Sequence, residues 1–196
     1  MSNTLQTAFD ILDDTLVEVE GIEVEIPEPQ EPYEPTHGEL VMRAARWLKN
    51  TRKCGVVFTE PRSFQAEIPD AIGFMGPDDS IVVECKATRS DFQQDGKKHF
   101  RINPEQGMGD RRYYMAPPGI IRVEELPELW GLLECRRTYV RVVQYAGHQP
   151  SKYRDSIRRH ETRLWYYQMY GVQNYGKTTL EGSGLPDPCG EQQEEP

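Results

Sequence analysis

Apolar and polar positions alternate along this chain in a pattern that changes character several times. "THGELVMRAARWLKN", from Thr36, repeats at helical spacing: Leu40, Ala44, Trp47 and Leu48 form one stripe, while Arg43, Arg46 and Lys49 fall outside it. Thr36 and Glu39 have the spacing of a capping box, so the helix is expected to start there. Three strands are predicted next: "GVVFTE" (55–60), a segment from Asp70 to Phe74, and "SIVVECKAT" (80–88). A helix over "SDFQQDGKKHF" is expected, with Ser90 as its cap and Gln93 at the box position. "RRYYMAPPGII" reads as a strand closed by its prolines, "VEELPELW" as a short turn or helical piece, and "GLLEC" and "TYVRVVQ" as two more strands. A basic, aromatic helix is expected from Ser151. This order predicts an α/β domain built on a mixed β-sheet flanked by helices.

The ends read differently. Within 1–36, "TLQTAFDILDD" has helical character, "LVEVEGIEVEI" alternates as a strand does, and "PEPQEPYEPT" reads as an extended linker. Residues 176–196 read as a disordered acidic tail. The expected organisation is therefore an appendage over 1–36, a domain over 37–175 and a tail.

Charge changes the picture of possible partners. The net charge is −9, yet residues 1–39 hold 11 acids and no Lys or Arg, and residues 181–196 hold 5 acids and none. The remaining 16 acids face all 23 bases, so the middle of the chain is net +7. A basic domain between acidic ends is compatible with phosphate binding. No apolar run approaches the roughly 20 residues that cross a bilayer, and the polar start does not read as a signal peptide. Four scattered cysteines, with no C-x-x-C pair, give neither a zinc pattern nor a disulfide framework. A cytoplasmic protein with reduced thiols is expected.

The chemistry is concentrated in "IPDAIGFMGPDDSIVVECKATRSDF", Ile68 to Phe92. On the strand, Ile81, Val83, Cys85 and Ala87 share one face, and Val82, Glu84, Lys86 and Thr88 share the other. A five-residue connection from Met75 to Asp79, or an equivalent bulge, sets Phe74 opposite Ser80 and Asp70 opposite Glu84; a shift of one sends Asp70 to the wrong side. Two adjoining carboxylates call for a cation, and a hard divalent ion such as Mg²⁺ suits oxygen ligands. An ammonium beside it orients a water and stabilises charge on a phosphate. The same three residues are also consistent with an ordinary cross-strand ion-pair ladder.

"PDAIGF…SIVVECK" resembles the motif of the PD-(D/E)XK nuclease superfamily. "ECKATRSDFQQDGKKHF", "RRYYMAPPGII" and "LPELWGLLE" are similar to a narrower group within it, the MmcB-like bacterial DNA-repair proteins and related phage-encoded proteins. The resemblance covers about residues 37–145. It implies a restriction-endonuclease-like core with a mixed four-stranded sheet, a Mg²⁺ (or Mn²⁺) cofactor and a DNA substrate. It further implies Asp70, Glu84 and the Cys85 carbonyl as metal ligands, Lys86 as the catalytic lysine, and Glu39 as an additional catalytic acid, although the capping box already explains a Glu there. Thr88 stands where the group carries serine, and Gly96 is an extra glycine in the helix segment.

Arg89, Lys97, Lys98 and Arg101 follow the site and are candidates to hold phosphates, or else a solvated helix face. Asp91 and Asp95 alternate with them and favour pairing within the helix. Tyr113 and Tyr114 are expected to pack in the sheet, and Gln106 to be an ordinary loop polar residue. His37, His99, His148 and His160 form no i, i+4 metal pair. Arg154, Arg158, Arg159 and Arg163 on the last helix, with Trp165 and Tyr166, are candidates to lie along a strand of nucleic acid, or else belong to an amphipathic helix docked by Ile157, Leu164 and Tyr167. The expected function is a metal-dependent deoxyribonuclease associated with a phage or mobile element. The alternative is a non-catalytic protein of the same fold that grips DNA or a host protein, with the acidic arms as a nucleic-acid mimic or docking segment.

Overall fold

The structure, a computed structural model, describes residues 33–61 and 67–175. The expectations for 1–32 and for the tail lie outside these residues. The chain divides at Pro32/Tyr33, and everything described belongs to the second unit. None of the described helices is long and apolar enough to cross a membrane.

Helix α1 spans His37–Arg46 and runs on into a π-helical turn, Trp47–Thr51. Its start follows from the predicted box: Thr36 Oγ1 accepts from the Glu39 N–H at 3.3 Å, and Glu39 Oε2 accepts from the Thr36 N–H at 2.8 Å. Strands β1 (Val56–Thr59), β2 (Ala71–Gly76) and β3 (Asp79–Cys85) form an antiparallel meander. Helices α2 (Arg89–Asp95) and α3 (His99–Ile102) carry the chain across to β4 (Arg111–Ala116), which lies parallel to β3. Strand β5 (Trp130–Cys135) is parallel to β4, β6 (Val140–Gln144) is antiparallel to β5, and α4 spans Arg154–Tyr175. The sheet has six strands in the order β1-β2-β3-β4-β5-β6. It is a mixed α/β sheet flanked by helices, as the element order predicts, and two strands wider than the four-stranded core that the resemblance implies.

One expectation is corrected here. Ser90 does not cap α2. Thr88 does, its hydroxyl accepting from the Asp91 N–H at 3.2 Å, while Ser90 sits inside the helix and accepts from the Gln94 amide. Strand β3 ends at Cys85, three residues earlier, so Thr88 is still extended and free to cap. The predicted single helix also breaks after Asp95, where Gly96 closes α2.

Both faces of the sheet are covered. Leu40, Val41, Ala44 and Leu48 of α1 and its extension pack on Ala71, Ile81, Val83, Cys85, Tyr113 and Met115. On the opposite face, Leu164 and Trp165 of α4 cover Ile72, Phe74 and Val82. Beside them, Phe92 and Ile121 cover Tyr114, Trp130 and Leu132. Helix α4 is also held by charge: Ser80 Oγ lies 2.5 Å from Glu161 and 2.9 Å from Asp110, and Arg158 pairs with both carboxylates.

Candidate metal and phosphodiester site

The β2–β3 hairpin sets the site's geometry. At its tip Gly76 pairs with Asp79, a register that would carry on to place Asp70 opposite Cys85. Met75 interrupts it as a bulge, and beyond it Phe74 pairs with Ser80 and Ala71 with Val83. Asp70, one residue past that ladder, therefore comes opposite Glu84. The bulge supplies the odd residue that the sequence pattern requires.

Strand alternation then turns Glu84 and Lys86 onto the face that carries Val82, and away from α1. Both are buried, at 1 % and 3 % exposure. Cys85 goes the other way: its thiol is in the core under α1, and burial pushes the thiol well above its ordinary pKa. Its N–H donates to Asp70 Oδ2 at 2.6 Å. In an extended residue the N–H and C=O project to the same edge. The Cys85 carbonyl thus points to the β2 side of β3, the side from which its N–H meets Asp70.

Asp70, Glu84 and Lys86 sense one another. The Asp70 pKa is raised to about 6, first by burial and then by the Glu84 charge, while the Cys85 hydrogen bond and the Lys86 ammonium pull it down. Burial alone would depress Lys86, but Glu84 and Asp95 outweigh it and hold the ammonium above the ordinary lysine range. Lys86 is therefore a cation in this site.

The residues fit a divalent ion in one telling respect. Glu84 Oε1 is buried and has no hydrogen-bond partner among the described residues. An orphaned carboxylate oxygen inside a protein costs free energy unless a donor or a cation meets it. Its other oxygen, Oε2, lies 3.1 Å from Arg101 Nη2 and 3.7 Å from Lys86 Nζ.

Several predicted residues lie elsewhere. The Glu39 carboxylate turns back on Thr36 Oγ1 and N–H, is exposed, and is held below its usual pKa by those bonds. The residue of α1 that reaches Asp70 is His37, with Nε2 at 3.6 Å from Oδ1. Arg89 is bound to Glu125 and to the Ile120 carbonyl, tying α2 to the loop before β5. Lys97 is exposed; Lys98 is half-exposed, with Nζ 3.1 Å from Asp95. Arg101, expected on an open face, is 4 % exposed in its side chain and pairs with Asp95, Glu84 and Glu67. Tyr113 and Tyr114 pack in the sheet, as predicted.

Sequence reasoning missed the network around the site. Asp95 lies 2.9 Å from Lys86 and accepts from the Tyr114 hydroxyl at 2.6 Å. Glu67 accepts from the Met108 N–H at 2.5 Å and reaches Arg101 at 3.3 Å. The available signal is the recurrence of charge at Asp95, Lys98 and Arg101 at three-residue spacing, which by spacing alone fits a phosphate contact, pairing within the helix or a solvated face equally well. A second missed group is His37, Glu60 and Asp70, whose ligand atoms all lie within 4.8 Å of one another. Thr59 pairs with Ala71, and the Glu60 N–H donates to the Asp70 carbonyl at 3.0 Å, so this neighbourhood follows from a β1–β2 register that the sequence did not define.

No protein-family model matches the chain, and no curated protein matches it in sequence. Among solved structures, the chain is similar to a protein of unknown function from Silicibacter pomeroyi, at 22 % identity and a TM-score of 0.52. The match covers 79 % of this chain and 100 % of that one. At that identity the likeness establishes the shared α/β fold.

Proposed function

We propose that this chain is a metal-dependent nuclease that hydrolyses phosphodiester bonds of DNA. The observation that carries the reading is the bulged register that brings Asp70 opposite Glu84, with Lys86 on the same face and Glu84 Oε1 buried without a donor. Asp70, Glu84 and the Cys85 carbonyl are the residues that would hold Mg²⁺ or Mn²⁺. Such a dication supplies Lewis acidity toward a phosphate oxygen. Lys86, kept protonated by Glu84 and Asp95, donates to the attacking water or to a non-bridging phosphate oxygen and so stabilises the negative charge that builds there. Water adds to phosphorus and gives up a proton to solvent, the P–O bond to the leaving sugar breaks, and the departing sugar oxygen takes up a proton from solvent.

The test is a panel of single-stranded, duplex and branched DNA, with RNA beside it, in Mg²⁺ and in Mn²⁺. Cleavage by the wild type that is lost in Lys86→Ala supports the reading. No cleavage of any substrate, or equal cleavage by Lys86→Ala, ends it.

A second reading has its own observation. Arg101 pairs with Glu84, Asp95 and Glu67 from within, and Lys86 and Arg112 add two further cations, so the charge cluster is largely compensated by protein groups. That favours a fold retained for gripping DNA or a partner protein without cutting. Calorimetry of the wild type against Glu84→Gln separates the two: metal binding that depends on Glu84 supports the nuclease, and its absence at millimolar Mg²⁺ and Mn²⁺ supports the binder.

A further inference from the structure

We propose that His37, Glu60 and Asp70 form a binding site for a first-row transition-metal dication, distinct from the Glu84 side of Asp70. Three elements converge there: the first residue of α1, the residue after β1 and the residue before β2. His37 Nε2 stands 3.4 Å from Glu60 Oε1 and 3.6 Å from Asp70 Oδ1. Those separations are too long for good hydrogen bonds. They match the edge, about 3.4 Å, of a tetrahedron whose ligands lie about 2.1 Å from a central zinc-like ion. Water completes the shell, because His37 and Glu60 are exposed.

The backbone fixes two of the three ligands. Glu60 has a φ of 45°, in the left-handed region, and its N–H bonds the Asp70 carbonyl at 3.0 Å. This turns the chain out of β1 with Glu60 held next to Asp70. Asp70 itself is oriented by the Cys85 N–H on Oδ2, which leaves Oδ1 toward His37.

The donor set decides which metal. Imidazole among the donors suits Zn²⁺ and its first-row neighbours Fe²⁺, Ni²⁺ and Cu²⁺. Mg²⁺ prefers an all-oxygen shell and gives up its water reluctantly. The site therefore discriminates for transition metals. It shares Asp70 with the nuclease reading, but it stands on the His37 and Glu60 geometry and does not require that reading.

Calorimetric titration of the full chain with Zn²⁺ and with Mg²⁺ near neutral pH tests it, using the surface variants His37→Ala and Glu60→Gln alongside Glu84→Gln. The expected result is Zn²⁺ affinity at least tenfold above that for Mg²⁺, a loss of at least tenfold in both surface variants, and little change in Glu84→Gln. Unchanged Zn²⁺ binding in His37→Ala and Glu60→Gln overturns the proposal. So does binding lost only in Glu84→Gln, a result that would leave the nuclease reading standing.

Discussion

The Lys86 ammonium stands 2.9 Å from Asp95, closer than the 3.7 Å that separates it from Glu84 on its own strand. The lysine of the candidate site is thus positioned chiefly from the crossover helix. Asp95 also takes Arg101 Nε at 2.6 Å and the Tyr114 hydroxyl at 2.6 Å, and these partners, with Lys86, outweigh its burial and hold its carboxyl well below the usual range. Asp95→Asn keeps the shape but leaves Lys86 and Arg101 short of one counter-charge. Breaking a buried pair in this way costs roughly 3–5 kcal/mol. Denaturant melts should show that loss, with cleavage reduced as Lys86 loosens.

Asp70→Asn is expected to move stability and activity in opposite directions. The folded Asp70 pKa is about 6, against 3.8 for the free group. The unfolded chain therefore loses this proton first as pH rises. The favourable contribution of protonated Asp70 is complete below about 4, falls between there and about 6, and is gone above. At pH 7 the folded protein carries a disfavoured carboxylate, and Asn, which can still accept from Cys85 N–H, relieves it. The full shift corresponds to about 3 kcal/mol, and partial exposure reduces this to roughly 1–3 kcal/mol. The difference in melting between wild type and Asp70→Asn should appear from pH 4 to 6 without metal and shrink when Mn²⁺ is added, while the variant no longer cuts.

The strands were legible as short apolar runs, the pairing of β2 with β3 from the alternation of β3, and α1 from Thr36 and Glu39 at its start; the order of the other strands in the sheet was not. The face assignment of Glu84 and Lys86 needed only alternation. What the sequence did not carry was depth. Arg101 and Asp95 look solvated by spacing, yet α2 and α3 lie on the sheet and turn them inward onto Glu84 and Tyr114. Thr88 outcompeted Ser90 as cap because β3 ends earlier than its apolar run suggests. His37 has no second histidine at helical spacing, and its neighbours Glu60 and Asp70 arrive from the ends of β1 and β2, which local spacing does not reveal.

Gly131 lies where β5 passes the ring of Tyr113, and an added Cβ would collide with that ring and stand 2.7 Å from the Ala146 backbone nitrogen. Tyr113 cannot swing aside, since Trp47 packs edge-on against it at 5.3 Å. Gly131→Ala should therefore cost about 1–3 kcal/mol through overpacking. A melt of the variant checks this, and an unchanged midpoint would show that β5 can move away from β4.

Arg101 and Lys97 allow a structural cation to be told from a phosphate contact. Arg101 is enclosed by Asp95, Glu84 and Glu67 and lies 4.5 Å over the Trp130 ring. Arg101→Met removes the charge from the middle of three carboxylates and should destabilise the fold by roughly 3–5 kcal/mol. A divalent ion that occupies the Glu84 site would recover part of this, so the loss should be smaller in Mn²⁺ than in EDTA. Lys97, exposed at the end of α2, touches none of these groups in the interactions described. Lys97→Ala should leave the melt unchanged. If this face holds phosphates, it lowers DNA affinity and reduces the slope of log affinity against log salt by about 1. A melt that falls for Lys97→Ala, or a DNA affinity that falls for Arg101→Met with its stability intact, would reverse the two assignments.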